Sequence, residues 1–107
     1  MYYTYMLRCE DNSIYTGITT DLKRRFNEHK SRGDKCAKYT LKHHVKSLEL
    51  AFESEDRKLA SKLEYHIKKL IKSDKEKLIK NPKLLENLLG EKIEVDKYKI
   101  CIEKIVL

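Results

Sequence analysis

Tryptophan is missing from this 107-residue sequence, glycine occurs three times and proline once. There is no internal repeat and no low-complexity stretch, so nothing suggests a solenoid or a long linker. No apolar run approaches the length of a membrane span, and the chain starts directly on a strand-like pattern. The expectation is a soluble, cytoplasmic protein. Cysteine is present as an odd set, Cys9, Cys36 and Cys101, with no C-x-x-C spacing. That indicates neither a disulfide framework nor a thiolate zinc site, and all three are expected as reduced thiols, with Cys9 and Cys101 packed in strands. A chain of this length buries one modest core, so one domain and one active centre are the most to expect.

What is abundant is positive charge, and it is unevenly placed. The formal net charge is +7, and residues 23 to 46 carry nine Lys/Arg against Glu28 and Asp34 alone. The first 22 residues sum to −2 and residues 47 to 107 to +2, so the whole excess lies in one segment. A basic surface of this kind suits a polyphosphate ligand, because each neutralised phosphate releases condensed counterions. A solubilising face would have the same composition.

Residues 2 to 9 alternate, with Tyr3, Tyr5, Leu7 and Cys9 on one side, and the polar Glu10-Asp11-Asn12-Ser13 precedes Ile14 to Thr19. This reads as a β-hairpin. An odd loop of five residues would set Tyr5 opposite Gly17 and Tyr15 opposite Leu7 on one face. Gly17 would then leave room beside Tyr5. Thr20 or Asp21 caps a helix to about Ser31, whose apolar direction is set by Leu22 and Phe26. Arg25 and His29 flank that direction while Arg24 points away. Arg25 is therefore placed either to edge a pocket or to pair with Asp21 one turn back.

Gly33 and Asp34 break the chain, and Lys35 to Lys42 reads as a short basic helix or loop. His43 and His44 diverge in any regular geometry, so they are expected as separate surface or phosphate-contacting groups. A strand follows, alternating Val45, Ser47, Glu49, Ala51 against Lys46, Leu48, Leu50, Phe52. The longest helical pattern, Glu55 to Lys72, has Leu59, Ala60, Leu63, Ile67, Leu70 and Ile71 on one face and Glu64 on its edge, with Lys68 at i+4. A short helix from about Ser73 to Lys80 ends at Asn81-Pro82. Leu84 to Leu89 suggest one or two helical turns ending at Gly90, and alternation resumes through Ile93, Val95, Ile100 and Ile102. This tail could pair with a sheet edge or with another copy.

The string YTYMLRCEDNSIYTGITTDLKRRFNEH, residues 3 to 29, resembles the GIY-YIG nuclease family. Tyr3 stands at the glycine that opens the family's first tripeptide, and Tyr15-Thr16-Gly17 stands in place of its second. The tyrosine spacing, the following Asp21-Leu22-x-x-Arg25 and His29 four residues later come as a set. With Glu64, the likeness covers roughly residues 2 to 80 and is greatest to small stand-alone bacterial members. It implies an α/β domain, a small three-stranded antiparallel sheet flanked by helices, over residues 1–82, with 83–107 as an extension packed on it.

The resemblance further implies metal-dependent phosphodiester hydrolysis. Tyr5 and Tyr15 would orient or deprotonate the attacking water, Arg25 would hold the scissile phosphate, His29 would assist proton transfer, and Glu64 would hold one Mg²⁺ or Mn²⁺ ion. Lys23, Arg24, Lys30, Arg32, Lys35, Lys38 and Lys42 would bind nucleic acid, DNA rather than RNA, selected by structure because no base-reading module is present. Three departures stand out: Tyr3, Ile18 at a position often basic, and Glu76 where an asparagine commonly follows the metal glutamate. They keep open a second expectation, a non-catalytic basic nucleic-acid-binding module, and the tail one of a homodimer.

Overall fold

The computed structural model describes residues 1–31, 39, 42–101 and 105–106. Two strands, β1 (Tyr2–Cys9) and β2 (Ile14–Thr19), lead into helix α1 (Leu22–Ser31) and strand β3 (Val45–Ser54). Helices α2 (Arg57–Lys69), α3 (Lys72–Lys80) and the short α4 (Leu85–Leu89) follow, then β4 (Lys99–Cys101) and β5 (Ile105–Val106). The strands form one antiparallel sheet in the order β2-β1-β3-β4, with β5 also pairing to β3.

The hairpin has the odd register. Tyr5 pairs with Gly17 and Leu7 with Tyr15, and residues 9 to 13 close the loop between Arg8 and Ile14. Asn12 turns the chain with φ 69, a left-handed conformation that asparagine tolerates. The Asp11 carboxylate accepts from the Ser13 amide at 3.1 Å and from its hydroxyl at 2.6 Å. Asp21 caps α1 by accepting from the Arg24 amide at 3.0 Å, and Asp56 caps α2 by accepting from Leu59 at 2.9 Å.

Each sheet face carries its own core. Met6, Leu50 and Phe52 pack with Leu63, Ile67, Leu78, Leu85 and Leu89 of the three later helices. On the other face Tyr5, Leu7, Val45, Leu48 and Ala51 pack beneath Phe26 of α1.

Several sequence expectations are corrected. The sheet has four strands along its path rather than three, because the tail contributes β4 opposite Ala51, Phe52 and Glu53. The ten-residue β3 would otherwise leave a row of backbone donors and acceptors unpaired at its outer edge. Strict alternation along β3 also fails. Met6 pairs with Leu50 and Leu7 with Leu48, so Glu49 is the extra residue of a bulge, and Leu48 lies with Ala51 rather than with Leu50 and Phe52.

The helix expected to run from Glu55 to Lys72 ends at Lys69, since Leu70 is extended at ψ 145. Ile71 is 66% exposed and outside the core, and α3 begins at Lys72 rather than Ser73. In the tail, Ile93 is buried in the core and Val95 opens a 3₁₀ turn, so neither belongs to a strand. Cys9 is buried in β1 and Cys101 half-buried in β4, both on strands as expected. Cys36, Gly33, Asp34 and Ile102 lie outside the described residues.

Candidate active site

The hairpin register and the periodicity of α1 converge on one cluster. Alternation along β1 turns Tyr5 toward α1, the odd loop returns Tyr15 to the same face, and helical spacing brings Arg25 and His29 over both. The Tyr5 hydroxyl and His29 Nε2 are 2.8 Å apart in a buried bond. Tyr15 closes the cluster, with ring centroids 6.3 Å from Tyr5 and 5.2 Å from His29. Gly17 is required between the tyrosines, since a Cβ there would stand 2.6 Å from Tyr5 Oη and 2.9 Å from Tyr15 Cε2.

Electrostatics fix the direction of the central bond. Burial, with Tyr15 alongside, pushes the Tyr5 phenol well above its usual value, so its oxygen is protonated at neutral pH. Burial and then the Arg25 charge lower the His29 imidazole to about 4, so it is neutral. Burial works against the Arg25 charge, but hydrogen bonds to Tyr5 and Glu28 outweigh it and hold the guanidinium firmly protonated. With Arg25 donating to the phenol oxygen, the Tyr5 O–H is left to donate to His29 Nε2.

Arg25 does not pair with Asp21. It reaches forward to Glu28, with Nη1 3.0 Å from Oε1, while the Asp21 carboxylate is engaged in the cap. Glu64 lies on α2, across the sheet from α1, yet its charge acts on the Tyr5 phenol. It is half-buried and pairs with Lys68 at 3.4 Å, an exposed i+4 interaction of small worth that a ligand can displace. Among the described residues no three His, Cys, Asp or Glu side chains converge as a metal cage. A single carboxylate fits a hard divalent ion that retains most of its water.

Of the remaining expected residues, Lys23, Arg24 and Lys30 are exposed on α1 and Lys42 is exposed before β3. Arg32, Lys35 and Lys38 lie outside the described residues. His43 and His44 take separate partners. His43 pairs with Asp11 and stacks on Tyr39 at 4.2 Å, and His44 stands 3.8 Å from Glu10. Glu76 grips Arg8 in a bidentate pair, at 2.6 and 2.5 Å.

Sequence reasoning missed three residues. Tyr39 sits 5.7 Å from Tyr15 and continues the aromatic cluster, Thr4 ties β1 to α2 by donating to the Ala60 carbonyl at 3.1 Å, and Arg57 opens α2 beside Arg24 and Arg25. Tyr39 could have been found as the aromatic within the basic segment; Arg57 had no motif to mark it.

A family model described as the GIY-YIG catalytic domain matches residues 1–78, a stretch containing every member of this cluster. The chain belongs to the GIY-YIG family. Similar chains include a UPF0213 protein of Fusobacterium nucleatum, 47% identical over 97 residues, covering 87% of this chain and 95% of that one. UPF0213 protein YhbQ of Salmonella typhimurium is 41% identical over 89 residues, covering 83% and 87%. A solution NMR structure of a UPF0213 protein from Bacillus halodurans is 38% identical, with a TM-score of 0.47 over 75% of this chain and 84% of that one. Membership in the GIY-YIG nuclease family brings a nuclease-type function and nucleic-acid binding at that level, and such nucleases generally use divalent metal ions. No described helix is long and apolar enough to cross a membrane.

Proposed function

We propose that this chain is a divalent-metal-dependent endonuclease that hydrolyses phosphodiester bonds in DNA, chosen by structure rather than by sequence. The observation that carries the reading is the buried Tyr5–His29 bond with the Arg25 guanidinium on the same phenol. A protonated, buried phenol is a poor base by itself. Joined to a neutral imidazole it becomes a relay, in which Tyr5 passes its proton to His29 Nε2 as its oxygen takes one from the attacking water. Arg25 stabilises the phenolate character that develops and holds the scissile phosphate, while Tyr15 orients the water. Glu64 would hold one Mg²⁺ or Mn²⁺ ion, which supplies neutralising charge for the phosphate and the leaving oxygen. The catalytic unit is assigned to residues 1–82, and the exposed Lys23, Arg24, Lys30 and Lys42 to the DNA backbone, with Arg32, Lys35 and Lys38. An odd set of three cysteines with no paired spacing suits a reducing cytoplasmic setting.

A second reading, a basic nucleic-acid-binding module without cleavage, is favoured by the Glu64–Lys68 pair and by Glu76 at the family's asparagine position. Incubating the protein with flapped, branched, single-stranded and blunt duplex DNA, in Mg²⁺ and then in EDTA, separates the two. The enzyme cleaves in Mg²⁺ only, and flapped or single-stranded DNA competes better than blunt duplex. Salt-sensitive binding without cleavage in either buffer would establish the second reading.

A further inference from the structure

The chain's third arginine position of interest lies outside the family motif. Strand order leaves β2 at the edge of the sheet, and beyond its end the starts of α1 and α2 converge from opposite faces. Between them runs an open groove of about 350 Å³ whose lining includes Tyr2, Thr20, Arg24, Arg25, Glu28 and Arg57. Of its three guanidinium groups only Arg25 has a carboxylate, Glu28, among the described residues. Arg24 and Arg57 have none there, so the groove faces solvent with uncompensated positive charge.

Past their Asp21 and Asp56 caps, the two helix starts are basic. The first turn of α1 contains Lys23, Arg24 and Arg25 and that of α2 contains Arg57 and Lys58, with no acidic residue in either. Cations at the positive end of a helix macrodipole cost stability. Helices α3 and α4 do carry an acid in their first turns, Asp74 and Glu86, although Lys72 opens α3. The two helices that border the groove are thus the ones whose first turns hold cations and no acid, their Asp21 and Asp56 caps being engaged by the backbone. Tyr2 adds a partly exposed ring. Guanidinium groups beside an aromatic face are what a single unpaired nucleotide needs, its phosphate on the charges and its base on the ring, and the volume is at the lower end of the roughly 300–1,000 Å³ typical of ligand sites.

We propose that this groove binds the unpaired nucleotide adjoining the scissile phosphate, with Arg24 and Arg57 on its phosphate and Tyr2 under its base. The proposal rests on the nuclease reading for the placement of the scissile phosphate at Arg25. It gives that reading a strand path, from the buried cluster around the end of β2 to α2, and a physical source of preference for single-stranded or flapped DNA.

The test measures binding of a labelled oligothymidylate and a matched blunt duplex to the full chain in EDTA, across a salt series, alongside melting temperature. Arg57→Ala should weaken the single-strand complex and lower its salt slope by about 1, while melting temperature stays level or rises because a misplaced cation is gone. Tyr2→Ala should weaken single-strand binding about tenfold and duplex binding less, and Tyr2→Phe should bind like the parent. Lys92→Ala, exposed on the loop after α4, is the control for loss of general charge. An Arg57→Ala protein with parental affinity and salt slope overturns the groove assignment, as does equal loss in Lys92→Ala. Parental cleavage with unchanged Arg57→Ala binding would remove the groove and leave the nuclease reading; the expected binding pattern without cleavage would do the reverse. A parent that binds no DNA refutes both.

Discussion

At the residue scale, the site is defined by two groups whose environments hold both neutral, a phenol raised by burial and an imidazole lowered to about 4 by burial and by Arg25. His29 is 0% exposed, so its protonation must be resisted by the whole fold. Its folded value lies below the usual 6.5, so its contribution is complete above about pH 6.5 and is lost as pH falls toward 4. At 1.36 kcal/mol per unit the total is about 3 kcal/mol at most. Denaturant midpoints from pH 7 to 4 should therefore fall more steeply for the parent than for His29→Gln. Parallel curves would mean that His29 titrates alike in the folded and unfolded chains. The position of His29 was legible because helical spacing from Leu22 fixed its direction; its buried bond to Tyr5 was not, since that needs the distance between two elements.

At the scale of elements, the hairpin register was readable because a side-chain period of two leaves only an odd loop able to put both tyrosines on one face. The consequence is the steric demand at Gly17, where an added Cβ would force Tyr5 or Tyr15 to shift. Gly17→Ala should cost about 1–3 kcal/mol in urea unfolding, as overpacked cores do, and should lower cleavage by displacing Tyr5 or Tyr15. Parental stability and activity would show the rings free to move apart. The bulge at Glu49 was not legible, because one extra residue leaves an unremarkable composition and shows itself only in the partner strand. Arg8 secures that irregularity, with Nε 3.5 Å from Glu49 and its other nitrogens on Glu76. The end of α2 was equally hidden, as apolar spacing runs on through Leu70 and Ile71 after the backbone has turned away.

At the scale of the molecule, the tail belongs to the core. Leu85, Leu89, Ile93 and Tyr98 are buried against Phe52 and the later helices, and the Tyr98 hydroxyl donates to the Leu59 carbonyl at 2.7 Å. Removing residues 92–107 should expose Phe52 and the β3 edge, lower the melting temperature and promote aggregation. A truncated chain with the parental melting temperature and solution mass would show the tail to be dispensable. The sequence made the tail's strand character visible through Ile100 but left open which edge it takes, since that depends on the order β2-β1-β3 already built. The charge asymmetry was readable as a total, whereas its focus at the meeting of α1 and α2 required Arg57 to be brought from a distant part of the chain.

The central claim is that the Tyr5–His29 relay performs phosphodiester cleavage, and Tyr5→Phe addresses it with the smallest change. The substitution keeps the ring beside Gly17 and removes only the hydroxyl 2.8 Å from His29 Nε2. Single-turnover cleavage of flapped DNA should fall by about 10²–10⁴-fold, the worth of a positioned proton-transfer group, with affinity in EDTA close to the parent and the melting temperature somewhat lowered, because the buried His29 nitrogen loses its donor. Cleavage by Tyr5→Phe at the parental rate would contradict the account.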